Sequence, residues 1–286
     1  MGFGNVAAMA NSWDAGRVWR QNWHKIASPI TSGSGFWMDL SMAAGMPKYN
    51  AYVGNQQEFT PMVGASNFGI NAGAGGDKWI TRYNINGAGV ANTSLPANVM
   101  LLDYVGFYPL VDMDNTDYQD LDNATYTSRY ASGLRCMVVT TTPQIAGAPI
   151  QVLLDYIDSR GIASTASFFV ALTPSTGCIN CFSSAVAGVG SFSPFVPLTP
   201  ETIDMQRLVG VTMSGSAGGF CSFVLVKPVL ECVVYDSITP SEIEFPRNGP
   251  MPYVPTGAHL NHIICPVSGG TVSGVTRGTI AFVKDA

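Results

Sequence analysis

The pattern of apolar and polar positions changes character near residue 96. Beyond it, short runs rich in β-branched and aromatic residues cover 99–108, 134–142, 150–156, 166–172, 208–213, 220–226, 230–235, 259–267 and 278–283. Between them stand Gly, Pro, Asn, Ser and Thr. Such runs, each bounded by turn residues, predict the strands of a sandwich or barrel. The runs 220–226 and 230–235 flank Lys227-Pro228, which predicts a strand pair or one strand bent at the proline. The expected fold class is mainly β: an antiparallel, jelly-roll-like β-sandwich with an extended N-terminal arm that contains a short helix.

Before residue 96 the pattern is weaker. Ser12 is placed to cap a helix running from Trp13, with Trp19 and Trp23 four apart on one face, Arg17, Arg20 and His24 beside them, and Ser28-Pro29 as the stop. Gly16 counts against that helix by about 1 kcal/mol relative to Ala. Residues 31–95 show no sustained period, and Gly, Asn, Ser and Ala recur through 31–35, 71–76 and 86–89. All five tryptophans fall in the first 79 positions, whereas all six cysteines lie at or after Cys136. The chain therefore divides into residues 1–95, an arm and Gly/Trp-rich interaction region, and residues 96–286, a β-sandwich body. Trp and Arg dominate interface hot spots, so Trp13, Arg17, Trp19, Arg20, Trp23 and Trp37 are the expected anchors on a neighbour. A packed helix on its own domain is the competing reading of the same residues. If the arm reading holds, deleting residues 1–30 abolishes assembly and leaves the body folded.

Composition sharpens this picture. Only 12% of the 286 residues are charged, where soluble domains carry about 25%. A surface so poor in charge is expected to be covered by partners. The net charge of −5 gives no basic footprint, so no direct nucleic-acid binding is expected. Met1-Gly2-Phe3-Gly4-Asn5-Val6 matches neither a secretory signal nor a myristoylation site. No apolar run reaches membrane-spanning length, and no membrane association is expected. Synthesis and folding in a cytoplasm follow as the expectation, with the cysteines as buried free thiols.

Candidate chemistry is sparse. Asp112, Asp114, Asp117 and Asp120 alternate with Asn in a loop whose hard oxygen ligands suit calcium, but an EF-hand would need Gly where Asp117 stands and Glu where Asn123 stands. Capping of turn backbone by these side chains is the alternative. Cys178-Ile179-Asn180-Cys181, with His259, His262 and Cys265, has the letters of a zinc site, yet His259 and His262 would leave opposite faces of a strand. The glycine-rich segments fit neither a phosphate loop nor a dinucleotide fingerprint, and no nucleophile elbow occurs. No enzymatic activity and no cofactor are expected.

The stretch from Leu102 to Asp117, reading Leu-Asp-Tyr-Val-Gly-Phe-Tyr-Pro-Leu-Val-Asp-Met-Asp-Asn-Thr-Asp, with Asp120-Leu121-Asp122-Asn123 and Arg129-Tyr130, resembles a segment of tailed-bacteriophage virion structural proteins. The Trp- and Gly-rich N-terminus resembles the arm of a capsid-associated protein. This resemblance implies a virion component made in a bacterial cytoplasm, with other copies of itself and neighbouring virion proteins such as a major capsid protein as partners, and a trimer by analogy. With no segment long enough for a spine helix, a capsid decoration (cement) protein is the expected role. A tail, collar or fibre component, a carbohydrate- or receptor-binding β module, and a glycan hydrolase using the Asp112–Asp120 carboxylates are the alternatives.

Overall fold

The computed structural model describes residues 6–26, 36–64, 69–72, 75–87, 95–122, 128–143, 149–170, 176–179, 181, 193–216, 218–245, 247, 249–266 and 275–284. The expected helix stop at Ser28-Pro29 and the glycine-rich positions 31–35, 73–74 and 88–89 lie outside them.

The chain opens with helix α1 (Val6–Asp14), then β1 (Val18–Ile26), β2 (Trp37–Asp39), a 3-10 turn (Leu40–Met42), β3 (Ala44–Met46), β4 (Thr60–Pro61) and β5 (Lys78–Asn86). There follow β6 (Ala97–Asp112), β7 (Gln119–Asp120), β8 (Arg135–Thr140), β9 (Ile150–Ile157), β10 (Ala163–Val170) and β11 (Cys178–Ile179). The rest is β12 (Arg207–Met213), β13 (Phe220–Val234), β14 (Ser241–Glu244), β15 (Tyr253–Val254), β16 (Leu260–Pro266) and β17 (Val275–Lys284). The protein is mainly β, and every strand pairing among the described residues is antiparallel.

The frame is a long ribbon of β6 against β13, paired from Ala97–Val234 to Asp112–Phe220. Three register shifts interrupt it, and each bulge adds local twist that lets so long a ribbon curl. The Lys227-Pro228 position is a bend within a single strand. β8 pairs with β13 only as far as Val226, so Pro228 sits where that edge of β13 is free and its missing N–H costs no ladder bond. The path β13-β8-β11-β2-β16-β6 returns to β13 and closes a six-stranded barrel. Two further sheets complete the molecule, β10-β9-β12-β7 and β14-β5-β17-β1-β3 with β15 on β5.

Side-chain alternation along β6 shows how the layers stack. Leu102, Tyr104 and Phe107 join Trp37, Met137, Val139, Val224, Val226 and Ile263 inside the barrel. Ala97, Val99 and Leu101 point outward into the core shared with Ile80, Tyr83, Ile280 and Phe282. Val105, Tyr108 and Val111, farther along, face the core shared with Val152, Leu154, Phe168 and Val211. Both outer sheets therefore pack on the outside of one ribbon, one at each end.

The N-terminal region departs from its expectation. α1 is short and ends before Trp19: Gly16 takes φ +68°, Arg17 N donates to Ser12 O (2.9 Å) and Gly16 N to Trp13 O (3.0 Å). This paired closure needs a left-handed residue, and Gly supplies it. The glycine that weakened the longer helix is what stops it. Val18–Ile26, expected as helix, is a strand between β17 and β3. Trp19 and Trp23 still share a face, because a separation of four satisfies the strand period as well as the helical one. The division expected at residue 95 is not a break in hydrogen bonding, since β1 and β5 flank β17 on both sides.

Candidate functional site

Asp39 and Asp103 are fully buried carboxylates on strands of the barrel. Asp39 ends β2 and caps the 3-10 turn: its Oδ1 accepts from Ser41 N (2.8 Å) and Tyr104 Oη (2.7 Å), its Oδ2 from Ser41 Oγ (2.8 Å) and from Tyr52 Oη. Burial raises its pKa, and these donors work against the rise. Asp103 stands on β6 where the outward face passes from one outer sheet to the other. It accepts from Arg129 Nε (2.8 Å) and Nη2 (2.5 Å), Tyr130 Oη (2.8 Å) and His259 N (2.7 Å). Arg129 also donates to Met62 O and Tyr104 O, so one guanidinium ties the Met62 segment and its own to the ribbon. Both centres have their lone pairs taken by protein donors, which suits structure rather than turnover.

Burial pushes His262, Lys25 and the cysteines toward their neutral forms. His262 lies under β1 with its ring stacked on Trp23 at a centroid distance of 3.9 Å, and burial, then the nearby Lys25 charge, push its pKa well below 6.5. Lys25 Nζ donates to Pro47 O (2.7 Å) and Ala43 O (3.3 Å), and burial lowers its pKa to about 8. All six thiols are free and buried. Burial pushes Cys181, Cys232 and Cys265 up to about 12, so the reactive, metal-binding thiolate is disfavoured. Cys178, Cys181 and Cys265 enter three different cores, and the letters of the zinc pattern are not brought together. No group of three or more His, Cys, Asp or Glu positioned for a metal occurs among the described residues.

The acidic loop is a chain of turns. Asp112 Oδ1 accepts from Asp114 N, Asn115 Oδ1 from Asp117 N, and Asp120 Oδ1 from Asp122 N, each at 2.9 Å. Asp114 Oδ1 also takes Gly218 N (2.8 Å) and Ser216 Oγ. These carboxylates spend their oxygens on backbone, the capping alternative drawn from sequence.

The proposed anchors separate into two groups. Trp23 and Trp37 fill this chain's own cores and present almost no surface to a neighbour. Trp19 is half-buried against Phe282, whereas Trp13, Arg17 and Arg20 are exposed. The reason is alternation in β1, which sends Trp19, Gln21, Trp23 and Lys25 inward and Arg20, Asn22 and His24 outward.

That outward face was not singled out from sequence. Registers across β1, β17, β5 and β14 align Arg20-Ala281-Arg82-Glu244, Asn22-Thr279-Asn84-Glu242 and His24-Arg277-Asn86 as rows on one side of the sheet. A cavity of about 560 Å³ opens on it beside Pro240, and a second of about 220 Å³ shares Asn84 and Thr279 with the first. The alternating Arg-Gln-Asn-Trp-His run of β1 carries the signal, but the Trp19–Trp23 spacing within it fits a helix equally well.

No family model matches the chain, and no curated protein sequence matches it. Among solved structures, the VP2 protein of the infectious bursal disease virus subviral particle aligns over 93% of this chain and 80% of its own, at 9% identity and a TM-score of 0.19. A structure of the Gt strain of the same virus aligns over 94% and 81%, at 10% identity and a TM-score of 0.18. Scores at this level do not establish a shared fold, and no residue role is carried across.

Proposed function

We propose that this chain is a structural virion component that works through protein–protein contacts, as a capsid decoration protein, and that it has no catalytic role. One observation carries the reading: an ordered turn holds apolar side chains out in water. Asp236 Oδ1 accepts from Ile238 N (2.7 Å) and Thr239 N (2.5 Å), fixing the turn on which Tyr235 and Ile238 are 72% and 84% exposed. In a chain with only 12% charged residues, contact with a partner is the natural use of such an apolar projection. The exposed Trp13 on α1 offers a second anchor. Other copies of the chain and a major capsid protein are the partners in this reading. The buried, protonated thiols and the fully paired carboxylates fit a load-bearing role better than a reactive one.

The test is the solution mass of the purified protein by light scattering, beside Ile238→Asp and Trp13→Ala variants. A discrete oligomer that one of these exposed substitutions dissociates supports the assembly role. A folded monomer in all three, with no incorporation into particles, overturns it.

A further inference from the structure

We propose that the outward face of the β14-β5-β17-β1 sheet is a binding site for an acidic saccharide, a sugar carrying a carboxylate such as a uronic acid. This goes beyond the assembly role, and that role stands or falls separately.

The argument begins with a buried acceptor that lacks a donor. Asn86 is 9% exposed and donates its Nδ2 to Ile238 O (3.1 Å), which fixes the amide. Its Oδ1 has no hydrogen-bond partner, and the residue lines the larger cavity. A buried carbonyl without a donor carries a desolvation cost that a hydroxyl entering the cavity would remove. Around it stand Asn84, whose side chain bonds to no described group, and Asn22, whose Oδ1 is held by Thr279 Oγ1 at 2.9 Å. Its Nδ2 is left for another acceptor. Amides and hydroxyls that offer both donors and acceptors on a rigid strand face match the vicinal hydroxyls of a sugar ring.

Charge selects the class of sugar. Arg277 and His24 line the cavity, no carboxylate lines it, and Arg277 makes no ion pair among the described residues. The smaller cavity adds Arg20, which likewise makes no ion pair among the described residues, and Arg82, which Glu242 neutralises at 2.5 Å. Three arginines share this face with Glu242 and Glu244, and both glutamates lie at the β14 edge beside Arg82, which leaves Arg277 and Arg20 as the charge on the β17-β1 side. A guanidinium binds a carboxylate through paired donors. A nucleotide would offer phosphate and hydroxyls too, but its base needs an aromatic platform. Trp23 is among the lining residues but is only 2% exposed, too little to serve as a stacking face, and Pro240 and Val275 are the other apolar residues of the lining. At about 560 Å³ the cavity is in the range of small-molecule sites.

The experiment is calorimetric titration of the full chain with galacturonic acid trimer, with the neutral galactose trimer and with uridine 5′-monophosphate. The expected result is binding of the acidic trimer at least about tenfold tighter than the neutral one, weakened about tenfold by Arg277→Ala and further by raising salt. Asn84→Asp, which puts a negative charge among the amides, is expected to abolish it. Both substitutions are on the solvent side of the sheet, and an unchanged melting temperature shows that the fold is kept. Equal affinity for acidic and neutral trimers, tighter binding of the nucleotide, no binding of any probe, or indifference to Arg277→Ala and Asn84→Asp overturns the proposal.

Discussion

His262 is the residue through which pH reaches the core. Trp23, Tyr83 and Lys25 surround it, and neither ring nitrogen has a partner. Its folded-state pKa is pushed well below the 6.5 of the free side chain. As pH falls through about 6.5 the unfolded chain takes up a proton that the folded chain refuses, so stability present above that pH is lost below it. Between pH 7 and 5.5 the loss is expected to be about 1 kcal/mol. Urea midpoints at the two pH values measure it, and His262→Leu is expected to remove the difference. Arg129 is the second case. Removing it leaves the Asp103 carboxylate buried with one charge uncompensated, a change that costs about 3–5 kcal/mol. Arg129→Ala is expected to lower the denaturation midpoint accordingly, and Arg129→Ala with Asp103→Asn to recover part of it. A fall within about 0.5 kcal/mol of zero would show that the pair carries no such burden.

Among the elements, β1 decides what a truncation does. α1 stops at the Gly16 turn, whereas β1 sits between two other strands and places Trp23 in the core. Deleting residues 1–16 is expected to leave a cooperative thermal transition. Deleting residues 1–30 removes a central strand and is expected to abolish it, contrary to the sequence expectation that the body stays folded. Circular dichroism melts of the two truncations separate the cases. The longer strands after residue 96 were legible because each is an apolar or alternating run, and β6, β8, β9, β10, β12, β13, β16 and β17 overlap the nine expected runs, whereas the short β7, β11, β14 and β15 match none. β1 was not, since its tryptophan spacing obeys two periods at once. β5 was hidden by a register shift opposite Ala281 and Phe282, which spaces its inward residues Ile80, Tyr83 and Ile85 unevenly. The polar face inherited both failures, because its rows exist only when β1 and β5 are known to flank β17.

At the scale of the whole molecule, the barrel and its two outer sheets share the β6–β13 ribbon, with β2, β11 and β16 adding to one outer core and β8 to the other. Composition indicated a contact-making surface. In the proposed reading the turn at Asp236, where a short polar residue holds two apolar ones outward, supplies part of that surface. Pairing also sets a timetable for synthesis. β17 hydrogen-bonds on both sides, to β1 and to β5, yet both are translated long before it. At ~5–20 residues per second, β1 and β5 wait for tens of seconds with unpaired edges and with Trp23 and Tyr83 uncovered. During that interval the nascent chain is a client for holdase chaperones, and the rate of elongation through the second half of the message governs how much of the product reaches the soluble fraction.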